Sequence, residues 1–354
     1  MFQRGNQRSV ARAAVAALAV VALIGAAGCS RKSDEDEAGT AVANTSEVKV
    51  ALVPGGAHPY FQPWKTGGEK AKGDFKLGDV IYNETAGWEQ TKQNNVLTSL
   101  AAQGYNAFGI FGVAPENINS TFDDLHRKGF MVASLASCPA GDVNKADFCL
   151  STDVELAAYK AAQAAIEAMG KKGNLVHLTG NKVDSNTQRR IKGVEKAVSE
   201  AGGGVKILQV VTDIDKDLQT AQKAVADLLA AKGKDIGGIV NTAYNPAVAS
   251  AEGVKRAGLP IKVIAIDDDA TVITGIKDGS LAGTVLQNPV GQSYVGSYAL
   301  SKLATGCTMG EPGVVIDSGS FVVTKANIET YESEREAKSD ELKKDFDSKY
   351  LNCK

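Results

Sequence analysis

The stretch Val48-Lys49-Val50-Ala51-Leu52-Val53, running into Pro54-Gly55-Gly56-Ala57-His58-Pro59-Tyr60-Phe61-Gln62-Pro63-Trp64, decides the fold. A short β-branched run that stops at Pro-Gly-Gly reads as a buried strand ending abruptly in a loop. The same unit recurs at Val80-Ile81-Tyr82, Ala107-Phe108-Gly109-Ile110-Phe111, Met131-Val132-Ala133, Leu175-Val176-His177-Leu178 and Val205-Lys206-Ile207-Leu208. It continues at Gly238-Ile239-Val240, Val263-Ile264-Ala265-Ile266 and Gly283-Thr284-Val285-Leu286. Between these runs lie longer amphipathic stretches: Gln90 to Ala102, Val154 to Met169, and Leu218 to Ala231, with turns such as Gln103-Gly104 and Lys232-Gly233 where helices must end. Alternating strands and helices argue for parallel sheets covered by helices.

Nine such runs exceed one compact sheet, and the segment from Cys138 to Cys149 breaks the rhythm in mid-chain. The expectation is an α/β fold of two Rossmann-like lobes, each a parallel sheet flanked by helices, joined by a multi-strand hinge. A single (β/α)8 barrel would want evenly closing units. With the division near Leu150 and Ser151, the N-terminal lobe takes residues 47–150 plus 288–317. The C-terminal lobe takes 151–287 plus 318–354, including a charge-dense C-terminal helix.

Ahead of the body, Arg4, Arg8 and Arg12 precede an uncharged run from Ala13 to Gly28 that stops at Ala26-Ala27-Gly28-Cys29. Those 16 residues are short of the about 20 needed to cross a bilayer, so residues 1–28 read as a cleaved signal peptide. The cleavage pattern resembles the bacterial lipobox, with Ala26 where Leu is preferred, and implies lipidation of Cys29; plain secretion with Cys29 unmodified is the alternative. Residues 29–46 are polar and read as a flexible tether. The implied address is the extracytoplasmic face of the cell membrane.

The formal net charge is -2, and removing a signal segment with three Arg and no acid brings it near -5. Nothing in that suggests nucleic-acid binding, which needs a basic face. Of the five cysteines, Cys29 accounts for the odd one in an oxidising compartment. The remaining four allow three connectivities, and position favours Cys138–Cys149 and Cys307–Cys353.

Enzyme signatures are missing: no Gly-x-x-x-x-Gly-Lys loop, no Gly-x-Ser-x-Gly elbow, no His-Glu-x-x-His. Asp213-Ile214-Asp215-Lys216-Asp217 begins like a calcium loop, but Leu218 stands where Gly is needed and Ala224 where the bidentate Glu belongs. It reads better as a solvated helix start. Asp267-Asp268-Asp269 follows a strand, at the end where open α/β sheets bind ligands, which makes Asp267 a binding candidate. Tyr60, Phe61 and Trp64 cluster in a chain only 6% aromatic, and aromatic faces suit the apolar face of a sugar ring.

Four segments together resemble the type I periplasmic-binding-protein-like solute receptors, of the ribose-binding branch that serves ABC importers. They are Val48 to Phe61, similar to the family's Asn-Pro-Phe-Phe; Gln188-Arg189-Arg190-Ile191-Lys192-Gly193-Val194, similar to Arg-x-x-Gly-Phe; Val263 to Asp267; and Gly283 to Pro289. The resemblance implies that Tyr60 and Phe61 stack on the ligand while Asp267 and Gln287 bond its hydroxyls. It puts His58 in place of a ligand-contacting Asn, Arg190 on the motif Arg, and Gln188 where ribose receptors carry a second Arg. Tyr244 and Asn245 fall near the family's Asn-Asp.

Two departures bear on the ligand. Ser134-Leu135-Ala136-Ser137 stands where ribose receptors have Asp-Arg, and Phe111 replaces a polar residue. A less charged, more aromatic pocket implies another pentose, a deoxy sugar, a polyol or a sugar-like signal rather than ribose. The implied partners are a small sugar or polyol, an ABC permease with its ATPase subunit, and the membrane through the Cys29 lipid. The chain is expected to act as a monomer without cofactor, metal or catalysis. The alternative readings are a receptor for a membrane sensor kinase, or one for an amino-acid-like ligand clamped by Arg190 and Asp267.

Overall fold

Alternate residues of strand β1 (Lys49–Val53) bury on opposite faces of one sheet: Val50 and Leu52 join one core, Ala51 and Val53 the other. A strand hydrophobic on both faces belongs inside a parallel sheet with helices on each side. The computed structural model describes residues 41–353, so the signal segment, Cys29 and the first part of the tether lie outside the described residues.

The first lobe continues with α1 (Pro63–Phe75), β2 (Asp79–Tyr82), α2 (Gln90–Ala102), β3 (Ala107–Ile110), α3 (Ile118–His126), β4 (Met131–Leu135) and β5 (Phe148–Ser151). The second lobe comprises α4 (Val154–Ala168), β6 (Gly173–Leu178), α5 (Ser185–Glu200), β7 (Val205–Val211), α6 (Leu218–Lys232), β8 (Gly238–Asn241), α7 (Tyr244–Ala257), β9 (Lys262–Ile266), α8 (Ala270–Asp278) and β10 (Gly283–Leu286). The chain then runs through α9 (Pro289–Ala304), β11 (Thr308–Met309), β12 (Val314–Asp317), β13 (Phe321–Val323), α10 (Tyr331–Asp345) and β14 (Leu351–Asn352). One sheet has the order β12-β5-β4-β3-β1-β2 and the other β13-β10-β9-β8-β6-β7. Within these two sheets only the β10–β13 pairing is antiparallel. The two-lobed α/β architecture is as expected, with β5 and the short strands after α9 added to it.

Close helix packing depends on small residues. The buried alanines of α4, Ala157, Ala158, Ala161, Ala162 and Ala165, present a low surface to α5. A Cβ on Gly193 would lie 2.2 Å from the Glu155 carbonyl oxygen, so only glycine fits there. This fixes the height of α5, and with it Arg190, over the second sheet.

The lobes are joined at residues 151–153, at Gln287-Asn288 and at residues 318–320, where β12 on one sheet hands over to β13 on the other. Helix α9 packs on α1, β3 and β4 of the first lobe. The last helix departs from its expected place in the second lobe. Its start does touch that lobe, through Tyr331, but Leu342, Phe346 and Leu351 sit in the first lobe's core, with the Phe346 ring 5.2 Å from that of Phe148. Few apolar residues punctuate this charged helix, and those of its last turn and the segment beyond it choose the first lobe. Disulfides join Cys138 to Cys149 and Cys307 to Cys353, the latter holding β14 against β11.

Candidate functional site

The site begins where β1 ends. Gly55 and Gly56 let the indole of Trp88 lie over the backbone: a Cβ on either would come within 2.8 Å of its ring atoms. Trp88 adopts φ +61° and donates its N–H to the Gly55 carbonyl at 2.7 Å. His58 caps the 3-10 turn Pro59–Phe61, accepting the Tyr60 N–H on Nδ1 at 3.2 Å. That turn delivers the aromatic pair in opposite senses. Phe61 is buried, its centroid 5.1 Å from Tyr60, 5.0 Å from Trp64 and 5.1 Å from Phe111. Tyr60 instead donates its hydroxyl to Gln292 Oε1 at 3.0 Å. Gln292 then reaches Ser318 Oγ at 3.0 Å, and Ser318 pairs with Thr152 at 3.2 Å, so Tyr60 is wired to two of the interlobe connections.

The second lobe answers with carboxylates and one arginine. Asp267, just past β9, holds φ +62° and is 6% exposed. Gln287, just past β10, offers its amide to Asp267 Oδ1 and Oδ2 at 3.1 and 3.3 Å. Burial, and then the charge of Asp268, push the Asp267 carboxyl up to about 7, against the pull of Gln287, Arg190 and His58. The three consecutive aspartates take different partners: Asp269 caps α8 at Thr271, Asp268 pairs with Arg335 at 2.5 Å, and Asp267 turns inward to Gln287. Arg190 has a buried Nε without a hydrogen-bond partner in the protein and closes no ion pair with Asp267. Burial and the same guanidinium hold His177 down at about 3, so that imidazole is neutral and bonds Thr242 at 2.8 Å. Tyr244 donates to Asp269 at 3.0 Å; burial and the surrounding carboxylates keep its hydroxyl protonated.

The two lobes meet here. The ring of His58 from the first lies 6.0 Å from that of Tyr244 from the second, and its Nε2 lies 3.6 Å from Asp215 Oδ2. The Tyr60 hydroxyl is pushed upward first by burial and then by Asp267, and feels Arg190, so both lobes' groups share one desolvated space. His58, Tyr60, Phe61, Phe111, Arg190, Tyr244, Asp267 and Gln287 thus converge.

Gln188 and Asn245 depart from expectation. Gln188 is exposed and donates its amide to the Lys182 carbonyl. It stands two positions from Arg190 on α5, and helix residues two apart do not share a face. Asn245 is buried, but its Nδ2 is committed to Asp215, at 3.1 Å to Oδ1 and 3.0 Å to the carbonyl. Sequence reasoning missed Trp88 and Asp215, both in loops at the carboxyl ends of strands, the position that was the available signal. At the end of β4, where ribose receptors carry a charged pair, Ser134 donates to the Ser137 carbonyl at 2.7 Å and the Ser137 hydroxyl stays unpartnered.

A family model described as a periplasmic binding protein domain matches residues 50–308. The chain is 25% identical over 234 residues to the ribose import binding protein RbsB of Bacillus subtilis (strain 168), covering 66% of this chain and 73% of that one. An ABC transporter solute-binding protein from Burkholderia graminis C4D1M, solved with D-arabinose, superposes with a TM-score of 0.72 at 22% identity, over 82% of this chain and 99% of that one. The Caulobacter myo-inositol binding protein, bound to myo-inositol, gives 0.70 at 20% identity, over 83% and 99%. With the family match spanning most of both lobes and two of the three connections between them, the chain belongs to the periplasmic binding protein domain family, has its type I fold, and is a solute-binding protein rather than an enzyme.

Proposed function

We propose that this protein is an extracytoplasmic receptor that takes a small neutral sugar or polyol between its lobes and delivers it to an ABC permease. One observation carries the reading. Tyr60, at the edge of a first-lobe aromatic cluster with Phe61, Phe111 and Trp88, shares one desolvated space with the second lobe's Asp267 and Arg190, and Gln287 is bonded to that Asp267. A sugar needs both: its apolar ring face packs on aromatics, and its hydroxyls need acceptors and donors in the ring plane. Asp267 accepts from hydroxyls, and the unpartnered Arg190 Nε donates to them. Structures of similar fold hold D-arabinose, D-allose and myo-inositol.

Closure follows from the split between lobes. A ligand touching both sides binds the closed form better, and the population shifts by that differential affinity. The permease with its ATPase subunit reads the closed form, while a lipid on Cys29 keeps the monomeric receptor near the membrane.

A thermal-shift screen of the mature protein against D-arabinose, D-allose, D-ribose, myo-inositol and the common amino acids tests this. A ligand at 100 times its dissociation constant adds about 2.7 kcal/mol of stability. A shift with a sugar or polyol is expected; shifts with amino acids alone would overturn the reading. Cys29→Ala should release the protein from membranes, and retention would remove the lipid anchor.

A further inference from the structure

His58 and Asp215 face each other from opposite lobes at 3.6 Å, within ion-pair range but without a hydrogen bond between them. Because Nδ1 of His58 accepts the Tyr60 N–H, a neutral imidazole carries its proton on Nε2. That Nε2 is buried and has no hydrogen-bond partner. Asp215 Oδ2 stands 3.6 Å away, beyond a hydrogen bond. Its other oxygen is taken, receiving the Asn245 N–H at 2.8 Å and Nδ2 at 3.1 Å, so the carboxylate is pinned with Oδ2 toward the first lobe.

We propose that His58 and Asp215 are a hydroxyl clamp across the cleft, in which one ligand hydroxyl accepts from His58 Nε2 and donates to Asp215 Oδ2, with Asn245 as the positioning residue. The inference rests on the sugar-binding reading and adds a second anchoring point to it, apart from Asp267. The clamp sets the ligand's chemistry at that point. Among hydroxyl, ammonium and carboxylate groups, only the hydroxyl both accepts and donates through one atom. A deoxy carbon leaves both partners unpaired, an ammonium cannot accept from Nε2–H, and a carboxylate meets the charge of Asp215. Since the partners come from different lobes, this hydroxyl is satisfied fully only on closure.

The test is calorimetry on wild type, Asp215→Asn, His58→Phe, Asn245→Ala and the control Asp217→Asn, whose native side chain caps α6. The probes are D-arabinose, D-allose, D-ribose and myo-inositol, and then the monodeoxy derivatives of whichever binds. In Asp215→Asn the donors of Asn245 turn the new amide oxygen toward themselves, leaving an NH2 facing Nε2–H. Affinity should fall at least thirtyfold in Asp215→Asn and His58→Phe and about fivefold in Asn245→Ala, while Asp217→Asn stays within twofold. Wild type should disfavour one monodeoxy derivative by at least thirtyfold, and Asp215→Asn should lose that discrimination. Unchanged affinity in Asp215→Asn, or equal losses for the sugar and all its deoxy derivatives, overturns the clamp alone. If wild type binds none of the four probes, the sugar reading falls and the clamp with it. Should Asp215→Asn fail to fold, His58→Phe on the other lobe decides the matter.

Discussion

Tyr60 donates its hydroxyl to Gln292, and Gln292 passes its amide to Ser318 at the point where the chain leaves the first lobe for the last strand of the second. An aromatic wall of the cleft is thereby bonded to the hinge. Gln292 is fully buried, so Gln292→Leu would leave the Tyr60 hydroxyl and the Thr152–Ser318 pair short of partners. We expect a loss of roughly 1–3 kcal/mol in urea unfolding. Sugar affinity should fall as well, because Tyr60 loses its fixed orientation; calorimetry reads that second effect.

Asp267 makes stability and binding respond to pH in opposite directions. Its carboxyl titrates near 7 when folded and at about 3.9 when unfolded. Its contribution to stability is therefore complete below about pH 4 and is lost as pH rises to 7, on the order of 4 kcal/mol in all. Asp267→Asn should remove that part of the slope, so the variant gains on wild type between pH 4 and 7 in urea titrations. Ligand hydroxyls that donate to the carboxylate favour its charged form. Wild-type affinity should then rise through pH 6 to 7 with proton release, measurable by calorimetry in buffers of different ionisation enthalpy.

Trp88 separates binding from folding. The ring is 45% exposed and its backbone sits at φ +61°, where a non-glycine residue costs about 1–2 kcal/mol. Trp88→Gly should leave unfolding free energy within about 1 kcal/mol of wild type, relief of strain offsetting lost contact. Affinity should drop roughly tenfold, the worth of one aromatic stacking partner. A large fall in melting temperature would show the indole to be structural.

The two disulfides should differ in weight. Loops of 11 and 46 residues are closed by Cys138–Cys149 and Cys307–Cys353. The chain-entropy relation gives about 3 and about 4 kcal/mol respectively. Calorimetric scans of Cys138→Ser/Cys149→Ser and Cys307→Ser/Cys353→Ser should rank the second pair as the more damaging, and the reverse order would point to packing around Cys138 instead.

The core strands were legible because burial on both faces leaves a continuous apolar run, as in Val50 to Val53, and so was the place of Asp267 at the carboxyl end of β9. Asp215 was hidden. What turns it from a helix-start residue into a cleft residue is Asn245, 30 positions on, and no local pattern carries that contact. Trp88 was hidden likewise, since its place depends on the bare backbone of Gly55 and Gly56. Gln188, two positions from Arg190 on α5, is exposed and bonded to Lys182, and the lobe that α10 covers was hidden by its composition. A helix so charged shows no stripe long enough to say which lobe it covers.

Helix α10 starts against the second lobe, with Arg335 on Asp268, and finishes in the first lobe's core at Leu342 and Phe346. A helix does not stretch. For the lobes to part widely, either Arg335 must let go of Asp268, next to Asp267, or the far end must peel from its seat, which the Cys307–Cys353 bond resists. How far the lobes can gape is thus governed by α10 acting as a tendon, and that tendon is tied to the loop that carries Asp267.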